Sequence, residues 1–251
     1  MDLNWAYYYF QNIISKEDCN KIIELGLNQI KEDKKNGIST VAVTHGDKHK
    51  GGLEAGNTSI TDKTVDEIKS KTDFKNTYVR DSEISWLGEK WIYDLLHPLI
   101  NEANEKAGWK YEWDRSENLQ FTKYGLNQFY GWHADGNNDH MGIAKKFIPG
   151  VSPVKSNGEP AENHTRDINL VGKIRKLSMT LNLSDETDYE GGNLKFDLGP
   201  HAANKRYHEC TEIRPKGSVI VFPSHVYHQV TPVTKGTRYS LVMWSWGRPY
   251  K

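Results

Sequence analysis

The chain has 251 residues, enough for one large domain, and its 33 basic residues offset 33 acidic ones, so no net field draws it to nucleic acid or an anionic membrane. Its 36% hydrophobic fraction supports a sizeable core. Its two cysteines, Cys19 and Cys210, lie far apart without C-x-x-C spacing, which argues against a disulfide framework or a thiolate zinc site.

The first residues, Met1 to Trp5, lack a basic stretch followed by an apolar one, and no eighteen apolar residues run together. The expectation is a cytoplasmic protein with no signal peptide and no transmembrane helix. Ser15-Lys16-Glu17-Asp18 resembles a capping box and predicts a helix start. Ile22, Ile23, Leu25 and Leu27 supply its apolar stripe, with an end predicted near Gly26 to Asn28, and Cys19 reads as a buried packing residue. Residues 31–60 are rich in Gly, Lys and Thr and read as a surface excursion. A second helix is predicted from about Ser85 to Ala107. Trp86, Leu87, Trp91, Ile92, Leu95, Leu96, Leu99 and Ile100 would cover its buried side, with a kink or break at Pro98.

From residue 117 the period turns towards two. Leu119, Phe121 and Lys123 alternate with their neighbours, as do Leu177, Met179, Leu181 and Leu183. Val219 to Phe222 and Tyr239 to Trp246 read as further strands, with Gly191 and Gly192 in a tight turn that carries no chemistry. Short strands at these spacings predict an antiparallel sandwich or barrel. Residues 136–175 interrupt it with a Gly-, Pro-, Asn- and Ser-rich insert.

The chemistry centres on Trp132-His133-Ala134-Asp135 and a later histidine. In an extended segment, positions i and i+2 face one side, so His133 and Asp135 can grip one ion from a single strand. A second imidazole completes a two-His-one-carboxylate triad, which leaves open positions on iron(II) for oxygen and a bidentate co-substrate. His225 and His228 compete for that third place; the Val-Thr-Pro-Val run and Arg238, ten residues after His228, favour His228. An arginine on the next strand can clamp a remote carboxylate with its fork, and Ser240, two residues on, faces the same side. The set reads as a 2-oxoglutarate site. His225 then reads as a surface or supporting imidazole and His97 as structural, while the histidines at 45, 49, 140, 164, 201 and 208 are expected to be solvated.

These segments resemble the 2-oxoglutarate/iron(II) oxygenases, and within them the prolyl 4-hydroxylase-like branch of bacterial and phage type. The resemblance spans about Asn118 to Pro249. It rests on the Tyr124-to-Tyr130 approach to His133-Ala134-Asp135, the strand Lys176 to Leu183, Tyr189-Glu190-Gly191-Gly192-Asn193-Leu194, and Phe222-Pro223-Ser224 with His228 to Val233. It implies an α+β protein: a double-stranded β-helix (jelly-roll) core over residues 116–251, with supporting helices in residues 1–115. The whole chain is then one oxygenase domain.

The resemblance further implies iron(II) at the triad, 2-oxoglutarate converted to succinate, O2 as a substrate, and ascorbate as an admissible reductant. Tyr124 would hydrogen-bond the co-substrate carboxylate, Trp244 would line the same pocket as a packed wall, and Tyr130 is a further contact candidate. The substrate implied is a prolyl residue of a peptide or protein; a free amino acid, a small metabolite and a non-enzymatic jelly-roll binder remain alternatives, as monomer or homodimer. Two departures stand out. Collagen-type members carry Lys where this chain has Arg238, and the 136–175 insert prevents transfer of substrate choice. The nucleic-acid-dealkylating branch carries a second Arg six residues after the first, where this chain has Trp244, so nucleic acid is not expected.

Overall fold

The computed structural model describes residues 5–42, 80–137, 140–154, 160, 163–199 and 206–250. Strand β1 (Tyr8–Phe10) precedes helix α1 (Lys16–Lys35). Ser15 caps the helix: its Oγ accepts from the Asp18 amide at 3.0 Å and its hydroxyl donates to Asp18 Oδ2 at 2.8 Å. The helix continues past the expected end near Gly26, because Gly26 is a contact point and not a stop. A Cβ there would lie 2.2 Å from Phe121 Cγ.

The helix predicted from Ser85 to Ala107 is two elements. Glu83–Leu87 forms strand β3, and helix α2 begins only at Lys90 and runs to Lys106. Ser85 and Leu87 turn inward while Trp86 between them is 43% exposed, an alternation of period two that overrides the apolar run. Pro98 lies inside α2, and the helix continues through it without a break.

The remaining strands are β2 (Arg80–Asp81), β4 (Arg115–Ser116), β5 (Leu119–Tyr124), β6 (Phe129–His133), β7 (Lys145–Lys146), β8 (His164–Thr165) and β9 (Ile174–Asn182). After them come β10 (Tyr189–Gly191), β11 (Leu194–Asp197), β12 (Tyr207–Cys210), β13 (Val219–Pro223), β14 (His228–Val230), β15 (Val233–Gly236) and β16 (Arg238–Gly247). A seven-stranded sheet runs β1-β13-β9-β16-β5-β3, with β4 also pairing β16. A five-stranded sheet runs β12-β11-β14-β6-β2. Both are antiparallel throughout. This is an α+β jelly-roll with supporting helices.

Two cores hold it together. Leu177, Met179 and Leu181 of β9, Val219 and Val221 of β13, and Leu241 and Met243 of β16 pack with Cys19, Ile22, Ile92 and Leu96 of the helices. Between the sheets, Ile220 and Phe222 of β13 meet Phe196, Leu194 and Val230 of the smaller sheet. The central strands are therefore buried on both faces, and their second face (Ser178, Thr180, Asn182, Ser240) is polar as well as buried. Buried polar groups of this kind are retained where they face a site.

The insert at 136–175 holds a short 3-10 turn, His140–Gly142, and the parallel pair of β7 with β8. Of the excursion expected at 31–60, residues 31–35 belong to α1 and residues 43–60 lie outside the described residues. Among the described residues no helix is long and apolar enough to cross a membrane.

Candidate active site

His133 ends β6 and His228 begins the neighbouring strand β14; the two are direct cross-strand partners. Antiparallel pairing puts partners on one face, so the two imidazoles meet with ring centroids 4.2 Å apart. Asp135 lies two residues beyond His133. Its Oδ1 is 3.5 Å from His133 Nε2 and its Oδ2 is 3.6 Å from His228 Nε2. The three donors lie within 4.8 Å of one another, as a single ion requires.

Each imidazole is oriented the same way. Nδ1 of His133 lies 2.8 Å from the Gly131 carbonyl and Nδ1 of His228 lies 2.9 Å from the Val226 carbonyl. A carbonyl can only accept, so Nδ1 carries the proton and the Nε2 lone pair points at the cluster. Burial, aided by His133, pushes the His228 imidazolium down to about 4 against the pull of Asp135, which keeps this ring neutral and able to ligate. Burial also works against ionised Asp135, but His228, His133 and Arg175 outweigh it and hold that carboxyl below the usual range.

A cleft opens over this cluster and is also lined by Tyr124, Tyr130, Arg238, Ser240 and Trp244. Alternation along β16 turns Arg238, Ser240 and Trp244 to the cleft. Arg238 is 2% exposed, partners Tyr124 across the sheet, and leaves Nη1 buried without a hydrogen bond. A buried guanidinium nitrogen without a partner fits the carboxylate of a dicarboxylic acid whose other end reaches the metal. Trp244 Nε1 is likewise buried and unpartnered. Tyr130 stacks on His133 with centroids 3.5 Å apart. The donor set of two imidazoles and one carboxylate fits iron(II).

Histidines read as solvated fare unequally. His140 is exposed and His164 half-buried on β8. His208 departs from the expectation: its Nε2 is 2.8 Å from the Tyr7 hydroxyl. His45, His49 and His201 lie outside the described residues. His225 is half-buried, away from the cluster, with its ring 6.3 Å from Tyr250. His97 is hydrogen-bonded to Ser116 at 3.1 Å.

Three features were not visible in the sequence. Arg175 donates from Nη1 to the Asp135 carbonyl at 2.9 Å, is gripped by Glu117 through Nε and Nη2 at 2.6 and 2.8 Å, and lies 4.3 Å over the Trp244 ring. Arg80 lines the cleft 4.4 Å over the Tyr130 ring. Gly192, at φ +60°, does more than turn the chain: a Cβ there would lie 3.0 Å from Arg238 Cδ.

A jelly-roll with two imidazoles and a carboxylate around one point, and a buried guanidinium in the same cleft, defines a mononuclear metal site built to take an anionic partner. Residues 119–246 match the family model described as the 2OG-Fe(II) oxygenase superfamily, and the chain belongs to that family, whose cofactor and co-substrate are iron(II) and 2-oxoglutarate. It is 32% identical over 127 residues to a PKHD-type hydroxylase of Synechococcus sp. (strain CC9605), covering 50% of this chain and 40% of that one. It is 44% identical over 68 residues to a PKHD-type hydroxylase of Sphingopyxis alaskensis, covering 27% and 28%. The chain thus matches well under two thirds of the length of these relatives.

Among solved structures, it resembles a viral collagen prolyl hydroxylase of Paramecium bursaria Chlorella virus-1 in a 2OG complex (TM-score 0.53, 14% identity, 97% of each chain). It also resembles a Pseudomonas putida prolyl-4-hydroxylase (TM-score 0.55, 14% identity, 96% of this chain and 92% of that one). At such identities the likeness shows the jelly-roll fold.

Proposed function

We propose that this chain hydroxylates a prolyl residue of a peptide or protein, with His133, Asp135 and His228 as iron ligands and Arg238 holding 2-oxoglutarate. The observation that carries the reading is the meeting of those three donors in one cleft with a buried, unpartnered Arg238 nitrogen. Bound iron(II) supplies, with 2-oxoglutarate and O2, the oxidation that places one oxygen atom in a C–H bond while the keto acid leaves as succinate and CO2. The chain's own residues bind and orient. Arg238 fixes the far carboxylate by a charge-assisted fork, and Ser240 and Tyr124 offer hydroxyls beside it. Trp244 and Tyr130 wall the cleft against water. Arg175 holds the backbone that presents Asp135.

The relatives' names support a hydroxylase, and the prolyl assignment draws support from the names of the structural neighbours, one of which is a Trichoplax adhaerens prolyl hydroxylase in complex with a peptide fragment (TM-score 0.54, 13% identity, 96% of this chain and 83% of that one). The whole chain is then a single catalytic domain, cytoplasmic, working as monomer or homodimer. A free amino acid is the second reading, and Arg80 favours it. Arg80 is buried in the same cleft and donates to the neutral groups Ser82 Oγ and Gln120 Oε1 at 3.0 and 2.8 Å, so it is available to a substrate carboxylate.

Incubating the protein with iron(II), 2-oxoglutarate and O2 against proline-containing peptides and free amino acids separates the two readings. Succinate release with a one-oxygen mass gain on peptide prolyl residues is the expected result. Oxygen gain confined to free amino acids replaces the first reading with the second, and no succinate under any condition removes both.

A further inference from the structure

Outside the cleft, a second group of metal-competent side chains gathers on the smaller sheet. Strand β12 is extended, so His208 and Cys210 project to one face, and Glu212 in the following turn brings its carboxylate beside them. The imidazole nitrogen, the sulfur and the carboxylate oxygen lie within 4.8 Å of one another. His208 Nε2 is 3.4 Å from Glu212 Oε1, close to the roughly 3.3–3.8 Å separating the ligands of a tetrahedral zinc ion bonded at ~2.0–2.3 Å. We propose that His208, Cys210 and Glu212 form a second metal site suited to zinc, separate from the oxygenase cluster.

Two further observations point to a cation there. Glu212 Oε2 is buried without a hydrogen-bond partner, which leaves its lone pairs to a cation. Cys210 is fully buried beside that carboxylate, with its sulfur among the same donors. A dication would use both groups: zinc replaces the thiol proton, which goes to solvent, and takes the carboxylate as a second anionic ligand. The mixed N, S and O donor set suits zinc, and water can complete the fourth position. The His208 and Glu212 side chains are 36% and 30% exposed, which gives an ion a way in from solvent. Cysteine spacing alone argues against such a site; the fold supplies the missing donors from other residue types.

The position suggests what the ion does. Tyr7, just before β1 of the larger sheet, places its hydroxyl 2.8 Å from His208 Nε2 and 3.3 Å from Glu212 Oε1; an ion on Nε2 would replace the first of these contacts and leave Tyr7 donating to Glu212. Its ring stacks on Phe196 and His208, with centroids 5.1 and 5.6 Å away. The site therefore clasps edge strand β12 against the start of β1. His208, Phe196, His228 and His133 are successive register partners. Two strand spacings of ~4.8 Å put the clasp on the order of 10 Å from His228.

Cobalt(II) titration of the metal-free 251-residue chain under anaerobic conditions tests the proposal. The oxygenase cluster has no sulfur, so a near-ultraviolet thiolate-to-cobalt charge-transfer band reports the second site alone. The expected result is two bound equivalents, one carrying that band, with Cys210→Ser losing the band and one equivalent while Cys19→Ser keeps both. Should Cys210→Ser fail to fold, His208→Gln and Glu212→Gln are each expected to weaken the band-forming equivalent tenfold or more. A saturated wild type without the band overturns the site, as does a band that survives Cys210→Ser or is unmoved by both glutamine variants. Asp135→Ala is expected to keep the band while losing the other equivalent, so failure of one site does not mimic failure of the other.

Discussion

A buried guanidinium whose Nη1 has no partner is stable only if an anion completes it, and this makes Arg238 the most exposed point of the account at the scale of single residues. Loss of a charged hydrogen bond costs about 1.5–3 kcal/mol, so Arg238→Ala is expected to raise the KM for 2-oxoglutarate roughly 10- to 100-fold in a succinate assay. An unchanged KM contradicts the assignment. Gly192→Ala tests the same contact from behind. Its φ of +60° and a Cβ 2.9 Å from Val233 Cγ2 predict a loss of about 1–2 kcal/mol in a thermal melt, and its 3.0 Å approach to Arg238 Cδ predicts a raised KM. Stability and KM both unmoved would show that the turn has room to spare. At this scale much was legible. His-x-Asp carries its geometry in its spacing, and the ten residues to Arg238 pointed to His228 over His225. Arg175 and Gly192 were not legible, because Arg175 meets Asp135 across 40 positions and Gly192 meets Arg238 only once the sheets close.

Elements are where sequence and structure diverge most, and packing explains it. The alternation of Leu177, Met179 and Leu181 predicts a strand but not which face is which: they pack with the helices while Thr180 faces the cleft. Burial on both faces leaves period-two reasoning unable to say which side is which. Trp86 and Leu87 extended the apolar run of α2 on paper, but they belong to β3, which pairs in register with β5 (Leu87 with Leu119). Gly26→Ala should cost about 1–3 kcal/mol, because the Phe121 ring occupies the Cβ position. The fall in Tm is expected to be several degrees, with the KM for 2-oxoglutarate unmoved, since Phe121 faces the helices; a shifted KM without loss of Tm refutes that division. His97 in α2 adds a pH dependence. Burial lowers its folded pKa below the ~6.5 of the unfolded chain, so its contribution is full above that value and is lost as pH falls from there through the folded pKa. The Tm difference between wild type and His97→Gln should therefore shrink between pH 7.5 and 5.5, and a constant difference refutes it.

On the scale of the whole molecule, the larger sheet serves as a partition. Helices cover one face with aliphatic side chains, and the other face, joined to the smaller sheet, carries the polar residues of the cleft. The balanced charge of the chain leaves the local field to Arg80, Arg175 and Arg238, all of them close to the cleft or its ligands. That arrangement suits capture of an anionic co-substrate without a global attraction to polyanions. The direct measurement is the visible charge-transfer absorption of anaerobic protein holding iron(II), recorded before and after 2-oxoglutarate is added. The account predicts a band that appears only with both components, is absent in Asp135→Ala, and needs far more 2-oxoglutarate in Arg238→Ala; an iron-loaded wild type whose spectrum 2-oxoglutarate does not change contradicts it.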